Sequence, residues 1–350
     1  MKKGVLLYTC YNGYGNTKYY TPTDEELTRL LNVTDEILFI PIVTYNRFTD
    51  KDGNDYSVLS HEIIDNMTVD MVGEPSRFET IKGEYHATAN HRLPADYHVK
   101  DYVNDAVSLA KRITAIKPDA KLWFSVPSAE NFHALTHLFA PAWADTVDMI
   151  KNALPEGLWQ NNVIGIYYAG EDIVTAGYTR FDNDKPEEDF NNPIVYSMRV
   201  VSEKVHGYGK KMLWIPYYHE ASSSSKNMGH VLNLTDIFDV AIIQPSHFFN
   251  TARKDEMLIV PECVEKQAVV DKEHNIIGSK KTSRTEIGFE MEIDAQFYEK
   301  EGYPERYYDY EKAFGKFVGV RPTAYYAGTP QTLIRSLDII EKFFGCAIIS

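Results

Sequence analysis

Residues 287–294 read Ile-Gly-Phe-Glu-Met-Glu-Ile-Asp, and this strict alternation of residue types indicates how the chain folds. Successive side chains of a β-strand point to opposite faces, so the apolar side chains share one face and Glu290, Glu292 and Asp294 share the other. The other predicted strands are almost wholly apolar, which places this strand among them. We therefore predict that its apolar face meets helices and its acidic face points into a closed barrel. An edge strand with its carboxylates in water is the alternative.

Seven more short runs of apolar, β-branched or aromatic residues alternate with longer amphipathic stretches. Thr23-Asp-Glu-Glu26 has the pattern of a capping box, which predicts that a helix begins there. The eight predicted strands are Gly4–Tyr11, Glu36–Thr44, Lys121–Pro127, Asn162–Gly170, Lys211–Tyr218, Asp239–Pro245, Glu286–Asp294 and Pro322–Ala327.

Eight strands alternating with helices predict an α/β fold, specifically a (β/α)₈ TIM barrel. A doubly wound sheet is the competing fold, but no predicted strand is followed by a complete G-x-G-x-x-G motif. We predict one barrel domain over residues 1–350. Residues 45–94 follow the second strand and form a long insertion, which we expect over the carboxyl-terminal face of the barrel.

The charge balance bears on the partners of the protein. Lys and Arg number 36 against 50 Asp and Glu, a formal net charge of −14, which disfavours nucleic acid and anionic membranes as partners. The chain has three cysteines, which are far apart, and no run of about 18 apolar residues. No signal-peptide cleavage pattern follows the first residues, so a cytoplasmic location is expected by default, with export of a longer parent chain as the alternative.

Two glutamates at the ends of predicted strands are the candidate catalytic residues. In a TIM barrel the functional side chains come from the carboxyl ends of the strands. Glu171 ends the fourth strand, and Glu292 lies near the end of the seventh, across the barrel mouth. Barrel glycosidases of the retaining type keep their acid/base and their nucleophile on these two strands. By that likeness Glu171 is the acid/base and Glu292 the nucleophile.

Three further carboxylates, Glu290, Asp294 and Asp172, are candidates for a catalytic or supporting role. Unpaired carboxylates on one buried face cannot all stay charged, so their pKa values are expected to be shifted. Tyrosine supplies an apolar face for a sugar ring and a hydroxyl group for its oxygens, and tyrosines are concentrated at the strand ends. The candidate substrate-binding residues are Tyr8, Tyr11, Tyr45, Tyr168, Tyr218, His219, Gln244, His247, Tyr325 and Tyr326.

Several strand-end segments resemble a bacterial family catalogued as domain of unknown function 4855. They are Ile164-Gly-Ile-Tyr-Tyr-Ala-Gly-Glu171, Leu213-Trp-Ile-Pro-Tyr-Tyr218, Val240-Ala-Ile-Ile-Gln-Pro-Ser-His-Phe-Phe249 and Ile287-Gly-Phe-Glu-Met-Glu-Ile-Asp294. The order of these segments is a stronger signal than any one of them. The resemblance implies a glycosidase-type TIM barrel and names no sugar.

The sequence therefore predicts a hydrolase of O-glycosidic bonds that acts on a polysaccharide or oligosaccharide with two carboxylates, by a retaining mechanism and with no cofactor or metal site. A barrel that binds carbohydrate without cleaving it is one alternative. A metal-assisted hydrolase that uses the acidic cluster of the seventh strand is another. The sugar, its anomer, endo or exo action and the oligomeric state stay open. So do the choice between retaining and inverting hydrolysis and the identity of the nucleophile among the carboxylates of the seventh strand.

Overall fold

The computed structural model describes residues 1–10, 18–41, 47–49, 55–57, 99–126, 136–173, 193–219 and 224–345. Most of the predicted insertion, residues 45–94, lies outside the described residues, as do the candidate residues Tyr11 and Tyr45. Within the insertion the structure describes two short strands that pair with each other in antiparallel fashion, residues 47–49 and 55–57.

Eight parallel strands close into a barrel, which confirms the predicted (β/α)₈ fold. The first strand pairs with the second and also with the last, so the sheet has no free edge. Each predicted barrel strand is present and ends one to four residues earlier than predicted. In chain order the strands are β1 (Gly4–Tyr8), β2 (Glu36–Ile40), β3 (Arg47–Thr49), β4 (Asp55–Ser57), β5 (Lys121–Val126), β6 (Val163–Tyr168), β7 (Lys211–Trp214), β8 (Val240–Ile243), β9 (Glu286–Glu292) and β10 (Thr323–Tyr326).

Helices follow the barrel strands along the chain. The capping box predicted at the first of them is present, since the Glu26 amide donates to the Thr23 hydroxyl and the Thr23 amide donates to the Glu26 carboxylate. The described helices are α1 (Asp24–Val33), α2 (Val99–Ile116), α3 (Thr136–Ala153), α4 (Glu156–Asn161), α5 (Pro193–Gly207), α6 (Ser224–Leu234), α7 (Glu256–Lys266), α8 (Gln296–Glu299), α9 (Tyr303–Phe314), α10 (Pro330–Arg335) and α11 (Leu337–Gly345).

The strands separate two apolar regions, as their alternation requires. The outer region lies between strands and helices, where Phe289 stacks on Phe314 of α9 with ring centroids 4.5 Å apart. The inner region fills the barrel with side chains such as Leu38, Trp123 and Ile242. Strand β9 therefore turns its apolar face to the helices, as predicted, and it is a central strand because it pairs with both β8 and β10.

The register between β9 and β10 sets the height of the acidic side chains in the barrel. Glu290 lies opposite Ala324, and Glu292 lies opposite Tyr326. Gly288, two residues before Glu290, allows the two strands to approach closely, since a Cβ atom there would lie 2.0 Å from the carbonyl oxygen of Pro322. The acidic residues consequently sit near the carboxyl-terminal end of the barrel.

Among the described helices, none combines the length and the apolar character that a membrane crossing requires.

Candidate active site

A cavity of about 230 Å³ opens at the carboxyl-terminal end of the barrel. Its apolar lining comes from four different strands and the residues that follow them, and includes Leu6, Ile40, Ala169 and Ile215. Pockets for drug-sized ligands usually measure roughly 300–1,000 Å³, so this cavity suits a smaller ligand. This is the end of the barrel where functional groups were expected.

The polar lining of the cavity contains Tyr8, Glu171, Gln244, Glu290 and Tyr326. These five residues come from five different strands or strand ends and are far apart in sequence. All five were candidate site residues. The barrel therefore brings carboxyl, amide and phenol groups to one small apolar cavity, which is the usual composition of a ligand site.

The main chain at Glu171 is fixed on both sides. The indole nitrogen of Trp214 donates a hydrogen bond to the carbonyl oxygen of Gly170, and the amide of Tyr217 donates to the carbonyl oxygen of Glu171 at 3.0 Å. These contacts tie the segment after β6 to the segment after β7. The Glu171 carboxyl group is thereby held at the cavity on a rigid support.

The side chain of Glu171 is bound by Gln244. The side-chain amide of Gln244 donates a hydrogen bond to the carbonyl oxygen of Ile215 at 2.9 Å. The same side chain also donates to the Glu171 carboxylate. Burial raises the pKa of Glu171 above its usual value of 4.5, and the nearby Asp172 raises it further. The hydrogen bond from Gln244 lowers the same pKa and so limits the rise. A carboxyl group of this kind is suited to giving and taking a proton.

Glu292 is 1% exposed, and two donors from outside its own strand bind its carboxylate. The amide of Ser246 donates to Oε1 at 2.8 Å, and the Tyr310 hydroxyl donates to Oε2 at 2.5 Å. Burial raises the pKa of Glu292 to about 7, while these hydrogen bonds limit the rise. Ser246 lines the cavity, and Glu292, which is not itself a lining residue, lies behind it at hydrogen-bond distance.

The backbone of Ser246 has a left-handed conformation, with φ of 55°. A residue with a side chain adopts this conformation at a cost of about 1 kcal/mol or more, so surrounding contacts must hold it. Here the conformation belongs to the residue whose N–H group binds the Glu292 carboxylate. Local backbone strain is thus found next to the acidic cluster.

Glu290 differs from its neighbour on the same face. It is 3% exposed, lines the cavity, and its Oε1 has no hydrogen-bond partner among the described residues. Burial, followed by the charges of Glu292 and Glu171, raises the pKa of Glu290 well above 4.5. Glu290 therefore holds its proton more firmly than an ordinary glutamate does, beside the hydrogen-bonded Glu292.

Aromatic side chains form one wall of the cavity. Tyr8 and Tyr326 meet edge to face with ring centroids 6.1 Å apart, and Phe249 meets Tyr326 in the same way at 5.8 Å. Phe249 is 40% exposed and lines the cavity. Its exposed ring offers a surface on which the apolar face of a sugar can pack.

Three of the candidate tyrosines face the helices and do not line the cavity. Tyr168 contacts Ser197 and packs edge-on against Trp143, Tyr218 donates to the carbonyl oxygen of Val270, and Tyr325 belongs to the outer apolar region. For Tyr168 and Tyr325 the reason is that successive side chains of a strand point to opposite faces. Tyr167, beside Tyr168, and Tyr326, beside Tyr325, point into the barrel instead.

Four other candidates lie near the site but outside the cavity lining. Asp172 is half-buried and interacts electrostatically with His219. Asp294 accepts hydrogen bonds from the amide and the side chain of Gln296, two residues further on, and so forms a turn just before α8. Nε2 of His247 lies 3.2 Å from Oδ2 of Asp309. The His247 ring stacks on Tyr310, the residue whose hydroxyl binds Glu292.

Four contributors to the site were absent from the predicted set: Tyr167, Ser246, Phe249 and Tyr310. The first three lie in or directly after predicted strands, so their place near a strand end was the only feature of the sequence that pointed to the site. Tyr310 lies on α9, 18 residues after Glu292, and no sequence pattern connects the two.

Across the described part of the chain, no group of three or more His, Cys, Asp or Glu side chains is arranged to hold a metal ion. The three glutamates of the cavity region are therefore not placed as a set of metal ligands.

No profile of a protein family and no curated protein sequence matches the chain. Solved structures with a similar fold include PbGH5A from Prevotella bryantii, a glycoside hydrolase family 5 enzyme, with a TM-score of 0.46, 10% identity and coverage of 97% of this chain and 96% of that one. The pneumococcal virulence factor StrH is similar with a TM-score of 0.42, 10% identity and coverage of 99% and 83%. The homocysteine methyltransferase MmuM from Escherichia coli is similar with a TM-score of 0.41, 8% identity and coverage of 90% and 83%. Likeness at this level leaves the chemistry to the residues of the site itself.

Proposed function

We propose that the protein hydrolyses O-glycosidic bonds, with Glu171 as acid/base and Glu292 as nucleophile. The observation that carries the proposal is that Glu171, after β6, and Glu290 of β9 line one small, aromatic-walled cavity, with the hydrogen-bonded Glu292 behind its Ser246 wall. Glycoside hydrolysis needs one carboxyl group that delivers a proton and one carboxylate that attacks the anomeric carbon or activates water. The proposed partner is accordingly a carbohydrate. Membership of the domain of unknown function 4855 family is part of the proposal and rests on the strand-end segments.

The different surroundings of the carboxyl groups support these roles. The ionised form of Glu292 receives hydrogen bonds from Ser246 and Tyr310, so Glu292 is the carboxyl group of β9 that is suited to act as an anion. Glu171 lines the cavity, its pKa is raised, and its main chain is fixed. Two carboxyl groups in unequal environments are the arrangement that divides acid and nucleophile roles.

The mechanism follows from these positions. Glu171 protonates the leaving oxygen while Glu292 attacks the anomeric carbon and forms a glycosyl–enzyme ester. Glu171 then removes a proton from water, which attacks the ester and releases the sugar with its original configuration and Glu292 as a carboxylate. Gln244 keeps the Glu171 side chain in place, and Tyr310 does so for Glu292.

The test is a comparison of the wild type with Glu171→Ala and Glu292→Ala on a panel of nitrophenyl hexosides. We expect Glu292→Ala to lose hydrolysis, and added azide to restore turnover with a glycosyl azide of inverted configuration. Glu171→Ala should retain hydrolysis of substrates with a good leaving group, because these need no proton, and should lose it for natural glycosides. Proton NMR of the first product formed by the wild type should show retention.

Three outcomes would count against this proposal. Sugar binding without turnover by the wild type would indicate a carbohydrate-binding barrel. Hydrolysis that survives in Glu292→Gln but not in Glu290→Gln would place the nucleophile at Glu290. Loss of activity on chelation that returns with added metal would favour metal-assisted hydrolysis.

A further inference from the structure

The Glu290 carboxyl group lacks a partner at the place where a ligand would sit. Its Oε1 is buried without a hydrogen bond to any described residue, and the side chain lines the cavity. Buried polar atoms in folded proteins are nearly always paired, so an unpaired one that faces a cavity indicates a group supplied from outside. This group must be able to donate to a carboxylate or accept from a carboxylic acid.

The charges around Glu290 favour a cation. Glu171 and Glu292 are close enough to affect its protonation. None of the described residues that line the cavity is Lys, Arg or His. Two arginines near this end of the barrel are bound elsewhere: Arg306 donates to the carbonyl oxygen of Phe248, and Arg253 pairs with Glu256. Glu171 and Glu290 thus line a cavity that has no described positive lining group, and the charge of Glu292 acts on Glu290 from close by.

A neutral ligand does not compensate the excess of acidic groups at the cavity. A sugar hydroxyl pairs with one oxygen of Glu290, and the three acidic groups still oppose one another's ionisation. An ammonium group brings a positive charge and three donors, so it favours the ionised form of Glu290 and also attracts the nearby carboxyl groups of Glu171 and Glu292. The aromatic wall adds to this preference, because the faces of Tyr8, Tyr326 and Phe249 carry partial negative charge.

We propose that the cavity binds a sugar with a free amino group, and that its ammonium nitrogen lies against Glu290. This inference rests on the proposed glycosidase function and narrows its substrate to glycosides of hexosamines. An N-acetylated sugar lacks the charge and brings an acyl group into a cavity of about 230 Å³. The free amine, and not the sugar alone, is therefore the recognised feature.

The first experiment uses the unaltered protein and isothermal titration calorimetry. Glucosamine and galactosamine are each compared with the parent hexose and with the N-acetyl derivative, at about pH 6, where the amine is protonated. Each set differs only in the group at one carbon of the sugar. We expect the free amines to bind at least about tenfold more tightly than both neutral forms.

Two variants assign the effect to one carboxyl group. Glu290→Gln keeps the size of the side chain, and we expect it to remove most of the preference for the amine. Glu286→Gln makes the same change at the exposed first residue of β9, which does not line the cavity, and we expect less than about a threefold change. Thermal unfolding of each variant shows whether the fold is retained.

The results separate this inference from the proposed function. Equal or tighter binding of the neutral sugars by the wild type overturns the inference, even where neutral glycosides are hydrolysed. An amine preference that persists in Glu290→Gln overturns the assignment to Glu290. Binding of amino sugars that depends on Glu290, without cleavage of any glycoside, upholds the inference and overturns the hydrolase.

Discussion

The Tyr310 hydroxyl lies 2.5 Å from Oε2 of Glu292 and donates a hydrogen bond to it. This contact joins α9, outside the barrel, to the acidic face of β9 inside it. The same hydroxyl accepts a hydrogen bond from the amide of Phe248 at 3.1 Å, which fixes its orientation. Oε1 of Glu290, two residues away on the same strand, has no donor among the described residues, and burial together with the charges of Glu292 and Glu171 raises the pKa of Glu290 well above 4.5. Burial raises the pKa of both glutamates, and the hydrogen bonds to Glu292 give the two residues different environments.

Removal of this donor should impair the reaction more than the fold. In Tyr310→Phe the Glu292 carboxylate loses a charge-assisted hydrogen bond, which contributes about 1.5–3 kcal/mol at buried sites. We expect kcat for glycoside hydrolysis to fall at least about tenfold, which corresponds to about 1.4 kcal/mol in the barrier. The pH at which activity reaches half of its maximum on the acidic side should also rise. Steady-state kinetics over a range of pH measures both.

Tyr218→Phe is the matched control for that variant. It also removes a buried hydroxyl, one that donates to the carbonyl oxygen of Val270 at 2.8 Å, but Tyr218 faces the helices and not the cavity. Both variants should lose a similar amount of stability to urea, and only Tyr310→Phe should change the pH profile. Equal kinetic effects in the two variants would show that Tyr310 acts through the fold alone.

The raised pKa of Glu292 predicts a pH-dependent contribution to stability. The folded protein holds this proton up to about pH 7, whereas the unfolded chain releases it near 4.5. The unfolded state therefore binds fewer protons between these values, and the free energy of unfolding falls as pH rises through this window. The contribution is fully present below about pH 4.5 and lost above about pH 7, and it amounts to roughly 3 kcal/mol.

The contribution is measured as the difference in unfolding free energy between the wild type and Glu292→Gln. This difference is needed because burial lowers the pKa of His230 to about 4, which makes stability rise with pH in part of the same window. The His230 effect is common to both proteins and cancels. We expect urea denaturation to show the wild type losing stability relative to Glu292→Gln as pH rises to about 7. A difference that is constant across this range would mean that Glu292 titrates normally.

The barrel was predictable because each strand is a short apolar run, and runs of that kind alternate with helices along the whole chain. The direction of individual side chains was predictable only on β9, where one face is acidic and the other apolar. In β6 and β10 both faces are apolar or aromatic, so the sequence did not distinguish Tyr167 from Tyr168, or Tyr325 from Tyr326. Contacts across elements, such as that of Tyr310 with Glu292, depend on packing and have no local sequence pattern.

Substitution of two neighbouring residues of β9 should change the free energy of unfolding by very different amounts. Phe289→Ala removes a ring stacked on Phe314 at 4.5 Å and leaves a cavity in the outer apolar region, which should cost about 3–5 kcal/mol. Glu290→Gln replaces a buried acid, whose Oε1 has no partner among the described residues, with a neutral group of the same shape. We expect its stability at neutral pH to stay within about 1 kcal/mol of the wild type or to rise. Urea denaturation of both variants provides the measurement, and a Glu290→Gln loss as large as that of Phe289→Ala would contradict the proposed faces of β9.

Phe249 should contribute to ligand binding and little to stability. Its ring is 40% exposed, lines the cavity and touches Tyr326 edge-on, so truncation removes a surface for the sugar without opening the core. Burial of apolar surface contributes about 25 cal/mol per Å², so loss of one ring face of some tens of Å² should weaken binding by roughly tenfold. We expect Phe249→Ala to raise KM, or the Kd measured by calorimetry, by about this factor, with an unfolding free energy within about 1 kcal/mol of the wild type.

Tyr308→Ala tests whether this effect is specific to the cavity. Tyr308 is also an exposed aromatic residue, 51% accessible, but it lies on α9 against Phe297 and does not line the cavity. Both truncations remove an aromatic ring from the surface, so a general loss of stability or solubility would affect them alike. Only Phe249→Ala should weaken sugar binding, because only its ring faces the place where the carboxyl groups meet. If the two variants bind carbohydrate equally well, the ligand does not reach the aromatic wall, and the sugar would have to be placed elsewhere on the barrel.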